Sequence, residues 1–565
     1  MIDRCFPLEK YRVGQKEAIE RIVHYFNEKV KFVLLEAPTG SGKSVIGFTV
    51  AQLFSPAYYL APQKFLQDQL SFDFGENGRY VGGHRPMIEL KGRVNYRCDY
   101  YKHVCNDGFS SGVDVDRFRA LSEKVVTCDV GECKKHDKSK LDYCLGDNGF
   151  VCEYFRQLEK ALSSSICLMN FHSFLFQSSV VHRFLPRKLL ILDEGHVSED
   201  VLMKFVELRI SDRPFVSLGI RFPELSSVED YLKFFEDIKL RDLIVNEHRI
   251  ARLKGDSVVE DEWERLLVKY SIVVNSDPSR WVHEFVGKPY NNVVTLKPLF
   301  VDDFANSHLF SMADHVLIMS ATLLSKKIIC DSLGMSSDEV KFLKMGNTFP
   351  VENRPVISVP CGSLSFKNKA ESFPKLISSV NLICSKFPSS RGIVHTHNFE
   401  IANLLMDNCS SLVKRRFLFQ KDVEFNDNKF MVIEKHKLTL NSIIIAPAMH
   451  EGLSLDDDLA RFQIVCKVPY PSLGDVQVKM RMDCDHDWLT WKTALKLIQS
   501  IGRAIRHDED WAVTFVLDAD FLRFVQNSQP LLPKWFSSSI MKVEELEEAF
   551  VISDELIKRV NGDAR

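Results

Sequence analysis

Ala37-Pro38-Thr39-Gly40-Ser41-Gly42-Lys43-Ser44 follows the apolar run Phe32-Val33-Leu34-Leu35 and precedes a segment of helical character from Val45 to Phe54. A short apolar run without polar alternation is the pattern of a parallel strand buried on both faces. A glycine-rich turn between such a strand and a helix aims several backbone N–H groups inward, where they can cradle phosphate. Gly40, Ser41 and Gly42 form that cradle; Lys43 adds a point charge at the β- and γ-phosphates, and the Ser44 hydroxyl is the expected Mg²⁺ ligand. Ala37 stands where the usual pattern has glycine, and is small enough to keep the turn tight. A Gly/Ser-rich turn that binds nothing would not need both flanks. The stretch predicts an α/β nucleotide-binding fold.

Working outward, the alternation continues. Gln15 to Lys29 carries Ile19, Ile22, Val23 and Phe26 on one helical face. Tyr58-Tyr59-Leu60, Lys188 to Leu192 and Val316 to Met319 read as further strands, each ending in polar residues where open parallel sheets place ligands. Two stretches interrupt the pattern. Residues 90–155 are polar and cysteine-rich, and 200–310 read as mostly helical, with helices over Val228 to Leu243 and Asp261 to Val274. Beyond about residue 326, strands are expected near Ile393-Val394, Ile443 to Ile445, Phe462 to Val468 and Val513 to Leu517. Two α/β domains, the first carrying two insertions, account for this order.

Asp193-Glu194-Gly195-His196 follows the strand ending at Leu192. There Asp193 can hold Mg²⁺ through water, and Glu194 can polarise the attacking water as a general base. Far downstream, Gln499-Ser500-Ile501-Gly502-Arg503-Ala504-Ile505-Arg506 reads as a helix. Arg503 and Arg506, three apart, would share one face and reach a γ-phosphate across a cleft. Two arginines alone would more often be a solvated face; with the loop and the acidic pair they form a set.

The chain has 565 residues, enough for two to four domains. A net charge of −3 shows no global basic character, though a local groove can be basic in a neutral molecule. Neither a signal-peptide core nor an apolar run of about 18 residues is present. The expectation is a soluble intracellular protein, whose fourteen cysteines are thiols or metal ligands rather than disulfides.

Seven of those cysteines fall between Cys98 and Cys167. By spacing alone, Cys128, Cys133, Cys144 and Cys152 make a four-thiolate set suited to Zn²⁺ or an iron–sulfur cluster. The alternative is a small domain whose cysteines simply pack as apolar residues.

Taken together, the motifs resemble superfamily 2 helicases, specifically the XPD/DinG-like group of iron–sulfur DNA helicases, from about Tyr11 to Phe521. Tyr11-Arg12-x-x-Gln15 is similar to the adenine-side element, which implies nucleotide contacts for Arg12 and Gln15. Ala61-Pro62-Gln63-Lys64 resembles motif Ia, Ser320-Ala321-Thr322 motif III, Glu451-Gly452-Leu453-Ser454 motif V, and Gln499 to Arg506 motif VI. Ser454 stands where the family usually has Asp, and Gly195 where Ala is commoner. Lys467 to Ser472 is also similar to DinG-like chains, especially phage-encoded ones.

The resemblance implies two RecA-like parallel-sheet motor domains with an Fe–S insertion and a helical arch in the first. The first motor domain would comprise 1–90, 155–199 and 311–325; the cluster insertion 91–154; the arch 200–310; the second motor domain 326–565. Implied catalytic residues are Lys43, Asp193, Glu194, His196, Arg503 and Arg506, with Gln499 at the nucleotide. Lys91 to Cys98 resembles the approach to the first cluster ligand, and Cys152-Glu153-Tyr154-Phe155 the last. Asn170 to Leu175 resembles the strand returning to the motor. The implied ligands are therefore Cys98, Cys144 and Cys152, with Cys133 or Cys128 as the fourth, of which Cys133 is taken; Cys105 and Cys167 are bystanders.

Implied cofactors are ATP, Mg²⁺ and a [4Fe–4S] cluster. Implied partners are single-stranded DNA and forked or tailed duplex, engaged by a monomer in the cytoplasm (a bacterial host's if phage-encoded), with no membrane. Gln63, Lys64, Thr396 and His450 are candidate backbone contacts, and Tyr96, Tyr100 and Tyr101 could stack on bases or be buried. A translocase without strand separation, a redox-sensing nucleic-acid-binding module and an RNA helicase remain as alternative readings.

Overall fold

The computed structural model describes residues 1–98, 126–129, 152–254, 256–346, 349–365, 368–419, 428–447, 455, 457–505 and 507–562. Cys105, Cys133, Cys144, Tyr100, Tyr101, His450, Glu451 to Ser454 and Arg506 lie outside the described residues. In chain order the strands are β1 (Phe32–Glu36), β2 (Ala57–Ala61), β3 (Met87–Leu90), β4 (Ile166–Asn170) and β5 (Arg187–Leu192). Next come β6 (Leu208–Ser211), β7 (Trp281–Val286), β8 (Val293–Pro298), β9 (Ala313–Ser320) and β10 (Val340–Lys344). The remainder are β11 (Val356–Gly362), β12 (Gly392–His395), β13 (Phe417–Phe419), β14 (Ile443–Ala446), β15 (Phe462–Val465), β16 (Val513–Asp518) and β17 (Ile540–Lys542).

Among the described residues these form two seven-stranded parallel sheets, ordered β10-β1-β9-β5-β2-β4-β3 and β13-β14-β12-β15-β16-β11-β17. This is the α/β architecture of two parallel-sheet domains expected from the apolar runs. Phe32 to Leu35, Ala57 to Ala61 and Leu189 to Leu192 are buried throughout, since helices cover both faces. Register brings Glu36 beside Ser320 and Leu192 beside Ile318, so the loops after β1, β5 and β9 meet at one sheet edge.

The structure departs from the sequence reading in four places. β10 pairs with β1, so the first sheet extends beyond residue 325, where that domain was expected to end. Its five residues follow a helix closely and carry no signal of which sheet they join. The 200–310 insertion is not purely helical. Helices Val228–Asp237, Leu240–Lys254 and Ser257–Val274 are joined by the antiparallel sheet β6-β8-β7. Asn170 to Leu175 is a helix start rather than a strand; the strand is β4, and the Asn170 side chain accepts from His172 N at 3.0 Å to cap the helix Phe171–Ser179. Finally, the helix His486–Ile501 stops before Arg503.

One apolar core runs through both sheets. Leu190 and Ile318 of the first sheet, Trp488, Trp491 and Leu497 of the helix His486–Ile501, and Val465 and Val516 of the second sheet belong to a single buried cluster. No helix among the described residues is long and apolar enough to cross a membrane.

Candidate nucleotide site and cysteine cluster

The glycine-rich turn opens at the end of β1 and feeds the helix Lys43–Leu53. Gly40 and Gly42 adopt φ of 80° and 82°, a left-handed conformation that side chains resist. A Cβ on Gly42 would also run into the Gln15 amide. Arg12 donates to the Gly40 carbonyl, its own N–H donates to Gln15 Oε1 at 2.7 Å, and Gln15 Nε2 reaches Gly42 O at 3.4 Å. Arg12 and Gln15 thus brace the Gly40 and Gly42 carbonyls of the turn. Ser41 closes the turn by donating to Pro38 O at 2.6 Å.

Asp193 is fully buried at the end of β5 and accepts from the Tyr59 hydroxyl at 3.1 Å and from Glu194 N at 3.0 Å. Tyr59 also touches the Ser44 hydroxyl. Burial, followed by the Glu194 charge, pushes the Asp193 carboxyl up to about 6 against the pull of Lys43. Lys43 Nζ lies 3.7 Å from Glu194 Oε1. Glu194 is held at φ 48°, a left-handed conformation at the tight turn. Gly195 has a local reason: a Cβ there would run into the Ile318 Cγ2 methyl on β9.

His196 is the junction. Its Nδ1 lies 2.7 Å from Ser320 Oγ and 3.4 Å from Glu194 Oε2, and its Nε2 lies 2.6 Å from Gln499 Nε2. The Gln499 amide also donates to Thr322 Oγ1 at 3.2 Å. A Gln499 N–H aimed at Nε2 assigns the imidazole tautomer protonated on Nδ1. Gln499, expected at the nucleotide, here spans the two domains. Arg503 lies just past the helix end and lines the same cleft, of about 720 Å³, with Thr39, Glu194 and His196. Of the nucleic-acid candidates, Gln63 precedes the helix Lys64–Phe74 and lines this cleft, and Lys64 is exposed. Thr396 is fully buried after β12, so its side chain does not reach a passing strand.

The residues after Glu194 tie the domains together. Glu199, in the helix Ser198–Val206, meets Lys492 Nζ at 2.9 Å, Trp488 Nε1 at 2.9 Å and Arg481 Nη2 at 3.4 Å. Lys492 also meets Asp200 at 2.8 Å. Sequence reading missed Tyr59, Glu199, Lys492 and Arg481; their roles depend on partners at least 130 residues away, and no local motif marks them.

In the cysteine insertion, the segments Tyr96–Cys98 and Val126–Cys128 pair antiparallel, with Cys98 N donating to Val126 O at 2.8 Å and Cys128 N to Tyr96 O at 2.9 Å. Cys152 precedes the helix Glu153–Ser163. Cys128 Sγ lies 3.7 Å from Cys152 Sγ, and all three thiols are buried. The Cys152 and Cys98 thiols, with burial, push the Cys128 thiol far up. The structure therefore brings Cys128, set second to Cys133 in the sequence reading, to the Cys98–Cys152 pair. Tyr96 packs against Tyr154 with its hydroxyl accepting from Lys91 N, a core role. Cys167 lies buried in β4, its thiol pushed up to about 12 by burial, an inert environment.

A family of helicase C-terminal domains matches residues 382–539, and the type III restriction enzyme res subunit family matches residues 9–100. The ATP-dependent DNA helicase DinG of Photobacterium profundum is 22% identical over 262 residues, covering 42% of this chain and 37% of that protein. The ATP-dependent DNA helicase CHL1 of Meyerozyma guilliermondii is 22% identical over 561 residues, covering 81% of this chain and 66% of that protein. The chain is similar to the XPD/DinG-like helicases at both of its parallel-sheet regions. A solved XPD helicase shares the fold, with a TM-score of 0.62 at 15% identity, over 95% of this chain and all of that one. The chain spans about a third of the DinG relative and under two thirds of CHL1.

Proposed function

We propose that this chain is an ATP-dependent DNA helicase that moves along single-stranded DNA, 5′ to 3′, and separates the strands of tailed or forked duplex. The observation that carries the reading is the path of contacts from Glu194 through Ser320 and His196 to Gln499. It links the carboxylate placed to polarise water with the second motor domain, which is what a motor needs to convert hydrolysis into domain movement. Asp193 and Ser44 would hold Mg²⁺, which neutralises phosphate charge when bound. Lys43 orients the β- and γ-phosphates, Glu194 takes the proton from the attacking water, and Arg503 and Arg506 stabilise charge on the transferred group. The matched relatives are named DNA helicases, which supports DNA over RNA as the track.

Cys98, Cys128 and Cys152 fit an iron–sulfur cluster: three soft, buried donors converge from three separate segments. Cys133 or Cys144 would complete the set. When bound, the cluster supplies metal–thiolate cross-links that staple the insertion.

ATP hydrolysis measured with and without single-stranded DNA, alongside separation of a tailed duplex, tests the reading. Stimulation by DNA together with unwinding is expected, and Glu194→Gln should lower turnover about 10²–10⁴-fold while nucleotide binding persists. Hydrolysis without strand separation would leave a translocase, and equal stimulation by RNA would overturn the DNA assignment.

A further inference from the structure

The helices Val476–Cys484 and His486–Ile501 meet at Asp485, which accepts from Trp488 N at 3.1 Å and fixes the joint. Three separate parts of the molecule touch this pair. Near its C-terminal end, Gln499 reaches His196 and Thr322 at the nucleotide site. Midway, Trp491 Nε1 donates to Leu323 O at 2.9 Å, and Lys492 and Trp488 engage Glu199. At the N-terminal end the contacts are with the 200–310 insertion: Asp475 Oδ2 meets Lys297 Nζ on β8 at 2.9 Å, and the Gln477 amide donates to Pro298 O.

These contacts differ in how easily they open. Glu199 and Arg481 have side chains only 2% exposed, and Lys492 only 6%. Separating them would strand buried charge, so this point stays closed through any domain movement. When Lys297 and Asp475 part, Lys297 keeps Glu284 of β7 at 2.9 Å and the 34% exposed Asp475 meets water, so no buried charge is stranded; the Gln499 contact is a pair of hydrogen bonds at a cleft rim. Such contacts open at smaller cost than the Glu199 cluster. A helix of sixteen residues is about 24 Å long and stiff, so displacement at one end becomes displacement at the other.

We infer that this helical pair is a lever coupling the nucleotide site to the insertion, pivoting on the Glu199–Lys492 contact and attached at its outer end by the Lys297–Asp475 ion pair. The inference rests on the helicase reading above. When nucleotide draws His196 or Thr322 away from Gln499, the helix end shifts, and the shift reaches β8 through Asp475. Lys297 and Asp475 are positioning residues, remote from substrate chemistry.

Asp475→Asn removes the ion pair alone and keeps the cap that Asp475 provides to Gln477 N and Val478 N, whereas Lys297→Met removes it together with the Lys297–Glu284 pair. The readout is base pairs separated per ATP hydrolysed, measured beside DNA-stimulated hydrolysis. Each variant should lower that ratio about fivefold with hydrolysis retained, the double variant should match Lys297→Met, and Lys297→Arg should keep the parent ratio. An unchanged ratio in both variants of an active parent overturns the lever, as does a proportional loss of hydrolysis and unwinding, which marks a merely structural contact. A parent chain that neither hydrolyses ATP with DNA nor unwinds overturns the helicase reading itself.

Discussion

Asp193 shows how one residue's surroundings set its chemistry. Its carboxylate is buried at a strand end, with a tyrosine hydroxyl as donor and a second carboxylate next in sequence. Burial raises its pKa to about 6, and the Glu194 charge adds to that effect. The sign follows directly. Below about 6 the carboxyl carries a proton and cannot serve a metal; as pH rises through 6 it ionises. Mg²⁺–nucleotide affinity should therefore rise about tenfold between pH 5 and pH 7, with the rise lost in Asp193→Asn. Fluorescent-nucleotide titration across that range checks it, the variant correcting for protonation of the nucleotide. Gly195 was legible as a departure from the family pattern, but its reason, the Ile318 methyl on β9 more than a hundred residues later, was not.

At the scale of elements, helix ends and helix contacts were the least legible. The run Gln499 to Arg506 reads as one helix that presents both arginines, yet the helix stops at Ile501 with Gly502 as its C-cap, and Arg503 lines the cleft. Asn170 to Leu175 resembles the strand by which the family returns to the motor. Asn170 instead caps a helix and donates to Pro62 O at 2.9 Å, tying that helix to the motif Ia turn. The helix Ser198–Val206 carries an ordinary pair: Glu199, which the fold buries against Arg481 and Lys492, and the exposed Asp200, which also meets Lys492. Glu199→Ala should destabilise the protein by about 3–5 kcal/mol, because it leaves buried cations short of a counter-charge. Glu199→Gln, which keeps an acceptor for Trp488 and Lys492, should cost less. Urea denaturation midpoints of the two variants against the parent measure the difference.

At the scale of the molecule, the cysteine insertion joins thiols from three segments, and which of them meet is a property of folding rather than of spacing. Cys128→Ser should lower iron and sulfide content of anaerobically purified protein as much as Cys98→Ser or Cys152→Ser, whereas Cys167→Ser, at a buried strand position, should leave both unchanged. Colourless parent protein holding one zinc would replace the cluster with a zinc site. The sequence by itself determined the strand–loop–helix core, the acidic pair and the resemblance to helicases, because each is carried by a few adjacent residues whose backbone geometry is local. Only the tertiary structure decided that Cys128 joins Cys98 and Cys152, that Gln499 bridges the domains, and that Glu199 anchors a helix nearly 300 residues later. Those contacts form between residues distant in sequence, where burial and charge pairing, rather than local pattern, choose the partner.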